Sequence, residues 1–257
     1  MTEPQHILIT GTTSGIGLGA LKAYRAMGWR VTAINRRKVP ALEAQFPDVR
    51  FHHFDVRDLE SVKKYFQDAA EAKQLPTVYL LSAGINKMDN YGVFSLDVFR
   101  EVVDTNMTGV LNFVSVAIPY LANSNGVFVV AASTSNIFPN PNCMGYFISK
   151  LAVTEIFKRM DRLYRGQGLR FKTLILGPIA TNIFVGGQMA SKLQMAVRNL
   201  ITVSVDDTMQ PIMRFIQSDR QSLCYPKRSY ALFVALSVLT KVYPGFYKGS
   251  APASSAK

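Results

Sequence analysis

Tyr146 and Lys150 carry the most informative chemistry in this sequence of 257 residues. They are four residues apart in a stretch with helical periodicity, so both lie on one face of a helix. A neighbouring ammonium favours the phenolate and lowers the pKa of a tyrosine, which makes Tyr146 usable as an acid or a base nearer neutral pH. Pairs at this spacing are also common surface contacts, so the pair needs support from the rest of the chain.

Ser133 supplies part of that support. It follows the apolar run 126–132, which has the character of a buried strand. In a parallel sheet the carboxyl ends of the strands face the ligand crevice. A hydroxyl at that point can polarise a carbonyl oxygen.

A glycine-rich turn, TGTTSGIG at 10–17, follows the first apolar run and precedes a helical stretch. Gly11 permits a tight turn, and Gly15 and Gly17 let backbone approach a pyrophosphate and the sheet. The helix start offers free N–H groups to phosphates, and Ser14 adds a hydroxyl donor. Glycines also mark ordinary turns, but this position between strand and helix favours nucleotide binding.

The second apolar run ends in Asn35, Arg36 and Arg37, where an NAD site usually carries an acidic side chain for the ribose 2′-OH. The missing carboxylate and the two guanidinium groups favour NADP, because arginine grips a phosphate as a bidentate donor. The alternative is a solvated basic turn. Asp55, after the third run, is placed to accept from the adenine amino group, or else to cap the following helix.

Short apolar runs alternate with helical stretches along the chain, which predicts an α/β, doubly wound parallel sheet of the Rossmann type. We expect a single domain, 1–248, of about seven strands with helices on both faces, and a flexible tail, 249–257. The predicted strands are 7–10, 30–34, 50–54, 78–82, 126–132, 170–176 and 222–225. The predicted helices are 17–27, 59–72, 96–121, 146–165 and 206–217.

Charge and cysteine usage restrict the class of protein. The net charge is +12, of which residues 151–257 carry +10. Such a surface attracts nucleic acid, anionic membranes or acidic substrates, but no nucleic-acid motif accompanies it, so we expect no nucleic-acid partner. The two cysteines fit reduced thiols of a cytoplasmic protein. The three histidines form no ligand pattern, so we predict no metal, and no secretory signal is visible.

Taken in order, these motifs resemble the short-chain dehydrogenase/reductase family in its compact form. The resemblance rests on 10–17, Asp55-Val56, Ser82-Ala83-Gly84, Asn106, Ser133, Tyr146 with Lys150, and 177–181. Three positions depart from the family pattern. Ser82 replaces an asparagine that steadies the central strand, Leu176 stands where proline is common, and Asn35 replaces the acidic cofactor selector.

The resemblance implies a role for each matching residue. Tyr146 exchanges the proton with the substrate oxygen, Ser133 orients that oxygen, and Lys150 holds the ribose hydroxyls and lowers the pKa of Tyr146. Asn106 holds a water in a proton relay through Lys150, and Ile179 and Thr181 close over the nicotinamide. The residues expected to contact the cofactor are Gly11, Thr13, Ser14, Gly15, Ile16, Gly17, Arg36, Arg37, Asp55, Val56, Ala83, Gly84, Asn106, Tyr146, Lys150, Ile179 and Thr181.

The implied activity is NADP(H)-dependent interconversion of a carbonyl and a secondary alcohol by a homodimer or homotetramer. A non-catalytic NADP-binding regulator on the same fold is the alternative, but it has no need of the four catalytic residues together. The segment 181–200 is expected to form a substrate lid. Apolar residues there and before Tyr146 favour an apolar or acyl-chain substrate, or else are ordinary packing. They are Ile137, Phe138, Met144, Ile183, Phe184, Val185, Met189, Leu193 and Met195.

The segment 227–248 contains an apolar run, 230–240, with basic residues before and after it. The run is too short to cross a bilayer as a helix. Three interpretations remain open: a buried helix or subunit interface, a peripheral membrane anchor, and part of the substrate pocket.

Overall fold

The computed structural model describes residues 5–87, 94–122, 124–136, 143–181 and 201–242. Apolar segments in these ranges form one seven-stranded sheet in the order β3-β2-β1-β4-β5-β6-β7, and every pairing is parallel. The doubly wound fold is therefore confirmed. The strands are β1 His6–Thr10, β2 Arg30–Asn35, β3 Arg50–His53, β4 Val78–Leu81, β5 Val127–Ser133, β6 Arg170–Leu176 and β7 Ser222–Tyr225.

Helices follow most strands. They are α1 Gly15–Ala26, α2 Pro40–Gln45, α3 Leu59–Glu71, α4 Leu96–Val103, α5 Gly109–Leu121, α6 Met144–Tyr164, α7 Val205–Gln217 and α8 Lys227–Val242. A π-helical turn, Asp104–Thr108, joins α4 to α5, and a 3₁₀ turn, Thr134–Asn136, follows β5. The single helix predicted over 96–121 is therefore wrong in detail, and α2 was not predicted.

Alternate residues of each strand face opposite layers, as the period of two requires. Ile7 and Ile9 pack in one core with α1, α2 and α7, whereas Leu8 packs in the other with α3, α5 and α6. The second core contains a stack of aromatic rings across three strands, in which Phe128 lies 4.9 Å from both Tyr79 and Phe171 between ring centroids. Helices thus cover both faces of the sheet, which explains the unbroken apolar strands.

The direction of chain progression reverses between β1 and β4, which are neighbours in the sheet. Such a reversal opens a crevice at the carboxyl ends of the strands. Side chains bridge the two strand ends there: the Ser82 hydroxyl donates to the Thr10 carbonyl at 2.6 Å, and the Ala83 N–H donates to the Thr10 hydroxyl at 3.0 Å. Ser82 thus ties the central strands directly, although it replaces the family asparagine.

Some predictions stay untested. The limits of the domain, 1–248, and of the tail, 249–257, remain predictions. The predicted lid residues beyond Thr181, and those at 137–138, lie outside the described residues, as does the end of the C-terminal segment, 243–248.

Candidate active site

The glycine-rich turn has no room for a side chain at Gly11 or Gly17. Gly11 has φ +76°, and a Cβ there would lie 2.8 Å from the Ala83 Cα; a Cβ on Gly17 would lie 2.2 Å from the Gly11 oxygen. Thr13 and Ser14 are exposed beside this turn, and α1 begins at Gly15 with no acidic residue in its first turn. The N–H groups at the start of α1, beside this close-packed turn, fit the pyrophosphate of a dinucleotide.

Asn35, at the position of the missing acidic residue, has a structural role within the protein. Its side chain is buried, and its Oδ1 accepts from the Thr12 N–H at 2.8 Å, with a further hydrogen bond to the Thr12 hydroxyl. Asn35 thus holds the glycine-rich turn from β2. Arg36 and Arg37, which follow it, are exposed at the same edge of the sheet. The residue that sequence reasoning missed here is Thr12.

Asp55 follows β3 and forms a fork with Arg57. The Arg57 Nη2 lies 2.7 Å from the Asp55 Oδ2, and Nε lies 3.0 Å from Oδ1. Hydrogen bonding from Arg57 lowers the pKa of Asp55, so this carboxylate is ionised at neutral pH. Asp55 does not cap the next helix, because Asp58 accepts from the first N–H groups of α3. The alternative role for Asp55 as a helix cap is therefore wrong.

Val56, next to Asp55, is buried against Gly109 at the start of α5. A Cβ on Gly109 would lie 2.5 Å from the Val56 Cγ2, so the glycine is what allows the close approach. Asn112 donates from Nδ2 to the Val56 carbonyl at 3.0 Å. The segment expected to hold the adenine end is therefore fixed to α5.

Asn106 lies in the π-helical turn and is fully buried. Its Oδ1 accepts from the Ile85 N–H at 2.8 Å, and its Nδ2 donates to the Ile85 carbonyl at 2.9 Å and to the Ser149 hydroxyl at 3.1 Å. A Cβ on Gly84 would lie 3.1 Å from the Asn106 Oδ1 and 3.4 Å from the Lys150 Nζ. The amide thus connects the loop after β4 with α6.

Ser133, Tyr146 and Lys150 are brought together at the end of β5. The Ser133 hydroxyl lies near enough to the Tyr146 hydroxyl to lower the pKa of the phenol. The Lys150 Nζ donates to the Ala131 carbonyl at 2.7 Å and lies 5.6 Å from the centroid of the Tyr146 ring. Tyr146 and Lys150 are buried one helical turn apart on α6. This is the arrangement that the spacing of the two residues predicts.

Burial moves the pKa values of Tyr146 and Lys150 apart, because it disfavours the charged form of each group. Burial raises the pKa of Tyr146 to about 12, with the hydrogen bond from Ser133 acting in the opposite direction. Burial also lowers the pKa of Lys150 to about 8. The sequence predicts a lowered pKa for Tyr146, but in the structure desolvation of the phenol is the dominant effect.

Ile179 and Thr181 follow β6 on the other side of the crevice. Ile179 is buried and pairs with Val203, and a Cβ on Gly15 would lie 3.1 Å from the Thr181 Cγ2. Thr181 thus faces the start of α1. The structure therefore places the expected nicotinamide-side residues against the expected phosphate-side residues.

A parallel sheet with a phosphate cradle at its switch point, and a tyrosine, lysine and serine beside it, defines a dinucleotide-dependent oxidoreductase. Residues 5–190 match the family model described as short chain dehydrogenase. The chain therefore belongs to the short-chain dehydrogenase family, as its motifs predict. It is an oxidoreductase that acts on CH–OH groups with NAD or NADP.

Known proteins agree with this assignment. The meso-2,3-butanediol dehydrogenase of Serratia marcescens is 25% identical over 84% of this chain and 88% of that protein. A short chain dehydrogenase from Burkholderia cenocepacia in complex with NADP has a TM-score of 0.76 at 18% identity, covering 96% of this chain and 99% of that one. One from Leptospira borgpetersenii with bound NAD⁺ has a TM-score of 0.75 at 16% identity, covering 86% and 91%.

Proposed function

We propose that this protein is an NADP(H)-dependent oxidoreductase that interconverts a carbonyl and a secondary alcohol. The observation that carries the proposal is that Tyr146 and Lys150 are buried one helical turn apart on α6, with Ser133 beside the phenol at the end of β5. Asn106, bound to the loop after β4, completes the four catalytic residues. A non-catalytic regulator would need only the cofactor cradle, so this constellation favours the enzyme.

The protein side of the reaction follows from these groups. In reduction, Ser133 donates a hydrogen bond to the substrate carbonyl oxygen and the Tyr146 O–H gives its proton to that oxygen. The Lys150 ammonium stabilises the phenolate that remains. In oxidation, the Tyr146 phenolate removes the hydroxyl proton. A bound nicotinamide dinucleotide supplies or accepts the hydride. Both Nδ2 hydrogens of Asn106 are used within the protein, so a relay water cannot accept a hydrogen bond from this amide.

NADP is favoured by the end of β2. Similar structures hold either NADP or NAD⁺, so the choice depends on this chain's own residues. Asn35 is turned to Thr12 and offers no carboxylate to a ribose 2′-OH. Arg36 and Arg37 are exposed beside it, where guanidinium groups bind a 2′-phosphate.

The substrate side favours an alcohol or ketone with an apolar body. Met144 and Ile148, on the first turns of α6 next to Tyr146, are 42% and 37% exposed. Methionine adapts to irregular apolar ligands. One similar protein is named meso-2,3-butanediol dehydrogenase, and butanediol is a secondary alcohol.

The test of catalysis is Tyr146→Phe, assayed with NADPH against ketones of graded chain length. Loss of the proton donor is expected to reduce kcat by about 10²–10⁴-fold while the NADPH dissociation constant stays within about twofold. Tyr164→Phe, near the far end of the same helix, is the matched control and should keep the wild-type rate. Wild-type kcat in Tyr146→Phe would contradict the proposed mechanism.

We further propose a cytoplasmic homodimer or homotetramer with no nucleic-acid partner, in which α8 contacts anionic membranes peripherally. Among the described residues, no helix is long and apolar enough to cross a bilayer. The support for a surface contact is that α8 combines exposed apolar side chains, Tyr230, Val234 and Val238, with the exposed basic residues Lys227 and Arg228.

A further inference from the structure

Three charged side chains form a chain at the adenosine end of the crevice. Asp55 accepts two hydrogen bonds from the Arg57 guanidinium and a third from the Arg57 backbone N–H at 3.0 Å. Arg36 approaches the same carboxylate only to 4.0 Å, from its Nη1 to the Asp55 Oδ2. One carboxylate therefore lies between two guanidinium groups and is paired with Arg57.

The pairing of Asp55 with Arg57 determines whether the Arg36 guanidinium is available to a ligand. A carboxylate and a phosphate are both good bidentate partners for arginine. If Asp55 lacked Arg57, the nearest guanidinium would be that of Arg36, whose side chain is half exposed and can rotate. An Arg36 held by Asp55 would present fewer donors to a 2′-phosphate, and an uncompensated carboxylate nearby would repel that phosphate.

We infer that Arg57 is a positioning residue for cofactor specificity: it occupies Asp55 and so keeps Arg36 available for the 2′-phosphate of NADP. The inference rests on the proposed preference for NADP and adds a residue that no motif of the sequence indicated. Arg57 differs from Arg36 in its role, because it acts through Asp55 and not by contact with the phosphate.

The experiment is Arg57→Gln, with NADPH and NADH dissociation constants measured by fluorescence titration. NADPH binding is expected to weaken about tenfold, the size of a lost charge-assisted contact, while NADH changes less than about twofold. The fragments 2′,5′-ADP and 5′-AMP should show the same difference without the nicotinamide. Arg36→Ala gives the reference for complete loss of the phosphate contact.

Three further variants separate positioning from a structural effect. In Asp55→Asn with Arg57→Gln, no carboxylate remains to capture Arg36, and the asparagine oxygen still accepts from adenine, so NADPH preference should return. Arg57→Lys should give an intermediate ratio. Arg25→Gln breaks another exposed arginine–aspartate pair, in which the Arg25 Nε donates to the Asp48 Oδ1 at 2.7 Å and to Oδ2 at 2.8 Å, and it should change neither dissociation constant.

The outcomes distinguish the two proposals. Equal affinities of the wild type for NADH and NADPH would overturn the proposed cofactor preference itself. A wild type that prefers NADPH, with Arg57→Gln weakening both cofactors equally, would overturn only the role of Arg57. The role of Arg57 would likewise be overturned if Asp55→Asn combined with Arg57→Gln failed to restore the preference for NADPH.

Discussion

Tyr146 and Lys150 illustrate how burial alone prepares an acid–base pair. The phenol is held protonated by a raised pKa, whereas the lysine, with its pKa lowered to about 8, changes charge near physiological pH. Proton transfer from Tyr146 creates a phenolate, which an ammonium stabilises and a neutral amine does not. The charge of Lys150 therefore controls the pH range in which Tyr146 can act as an acid.

The pH profile of ketone reduction tests this control. Burial lowers the pKa of Lys150, so its ammonium is present below about pH 8 and is lost above it. We expect kcat/KM for reduction to fall as pH rises through about 8. In Lys150→Arg the guanidinium stays charged. Any residual activity of that variant should therefore not fall at this pH.

A control for that profile is available in β6. Lys172 is a second buried lysine with its pKa lowered to about 8, but its Nζ donates to carbonyls at the end of α7, such as that of Phe215 at 2.8 Å. Lys172→Met should leave the midpoint of the profile unchanged. If the midpoint moved in Lys172→Met but not in Lys150→Arg, the transition would belong to Lys172, and the proposed control by Lys150 would be wrong.

At the scale of elements, the strands and their order of use were predictable because buried parallel strands are short apolar runs. The π-helical turn was not, because one extra residue per turn at Asp104–Thr108 leaves the apolar pattern of 96–121 nearly unchanged. Yet this turn carries Asn106. The helix α2 has only six residues and too little periodicity to be recognised.

The candidate site also contains some features that the sequence predicts and others that it does not. Tyr146 and Lys150 were predictable because helix geometry fixes the relation of residues four apart. The fork between Asp55 and Arg57 was not, because residues two apart meet only in a particular turn, and the contact of Asn35 with Thr12 joins residues from different elements. For the same reason, no local pattern showed Ser149 beneath the Asn106 amide.

The turn between β1 and α1 yields a prediction with a matched control. Gly11 and Gly28 have nearly equal φ values, +76° and +77°, but only a Cβ on Gly11 meets other atoms, since nothing lies within 4 Å of one on Gly28. Gly28→Ala should cost about 1 kcal/mol of unfolding free energy from backbone strain alone. Gly11→Ala should cost about 2–4 kcal/mol, because Ala83 must also move.

Cofactor titration completes that comparison. Gly11→Ala should also lose NADPH affinity by at least about tenfold, since the displaced turn no longer presents its N–H groups to the pyrophosphate. Gly28→Ala should bind NADPH like the wild type. Equal losses of stability in the two variants, measured by urea unfolding, would show that the contact with Ala83 is not restrictive.

At the scale of the whole molecule, the excess of basic residues after 150 is not one patch. Lys172 is buried within the sheet, and the exposed residues Arg159, Arg162 and Arg165 lie toward the end of α6. That helix starts at the crevice with Tyr146 and ends near the opposite edge of the sheet, where Tyr164 contacts Phe171. Net charge alone therefore does not indicate a binding surface beside the active site.

The helix α8 does lie beside the active site. Its Ser229 is fully buried, and a Cβ on Gly177, at the end of β6, would lie 2.8 Å from the Ser229 Cβ. Tyr230, Val234 and Val238, each four residues from the next, are 39%, 38% and 57% exposed and share one face. The helix is therefore not wholly buried, and its exposed apolar face fits either a membrane surface or a second copy of the chain.

The sequence 227–242 contains three basic residues and no acidic one, so two copies pairing through this face would bring like charges together, whereas an anionic bilayer attracts them. We therefore expect co-sedimentation with phosphatidylserine vesicles at low salt, weakened by high salt. Lys227→Gln with Arg228→Gln should weaken binding about thirtyfold, at about 1 kcal/mol per charge. Val234→Asp with Val238→Asp should abolish it, whereas Leu163→Asp, on an exposed site of α6, should not. Absence of vesicle binding, with a dimer that dissociates in Val234→Asp with Val238→Asp, would instead assign this face to a subunit interface.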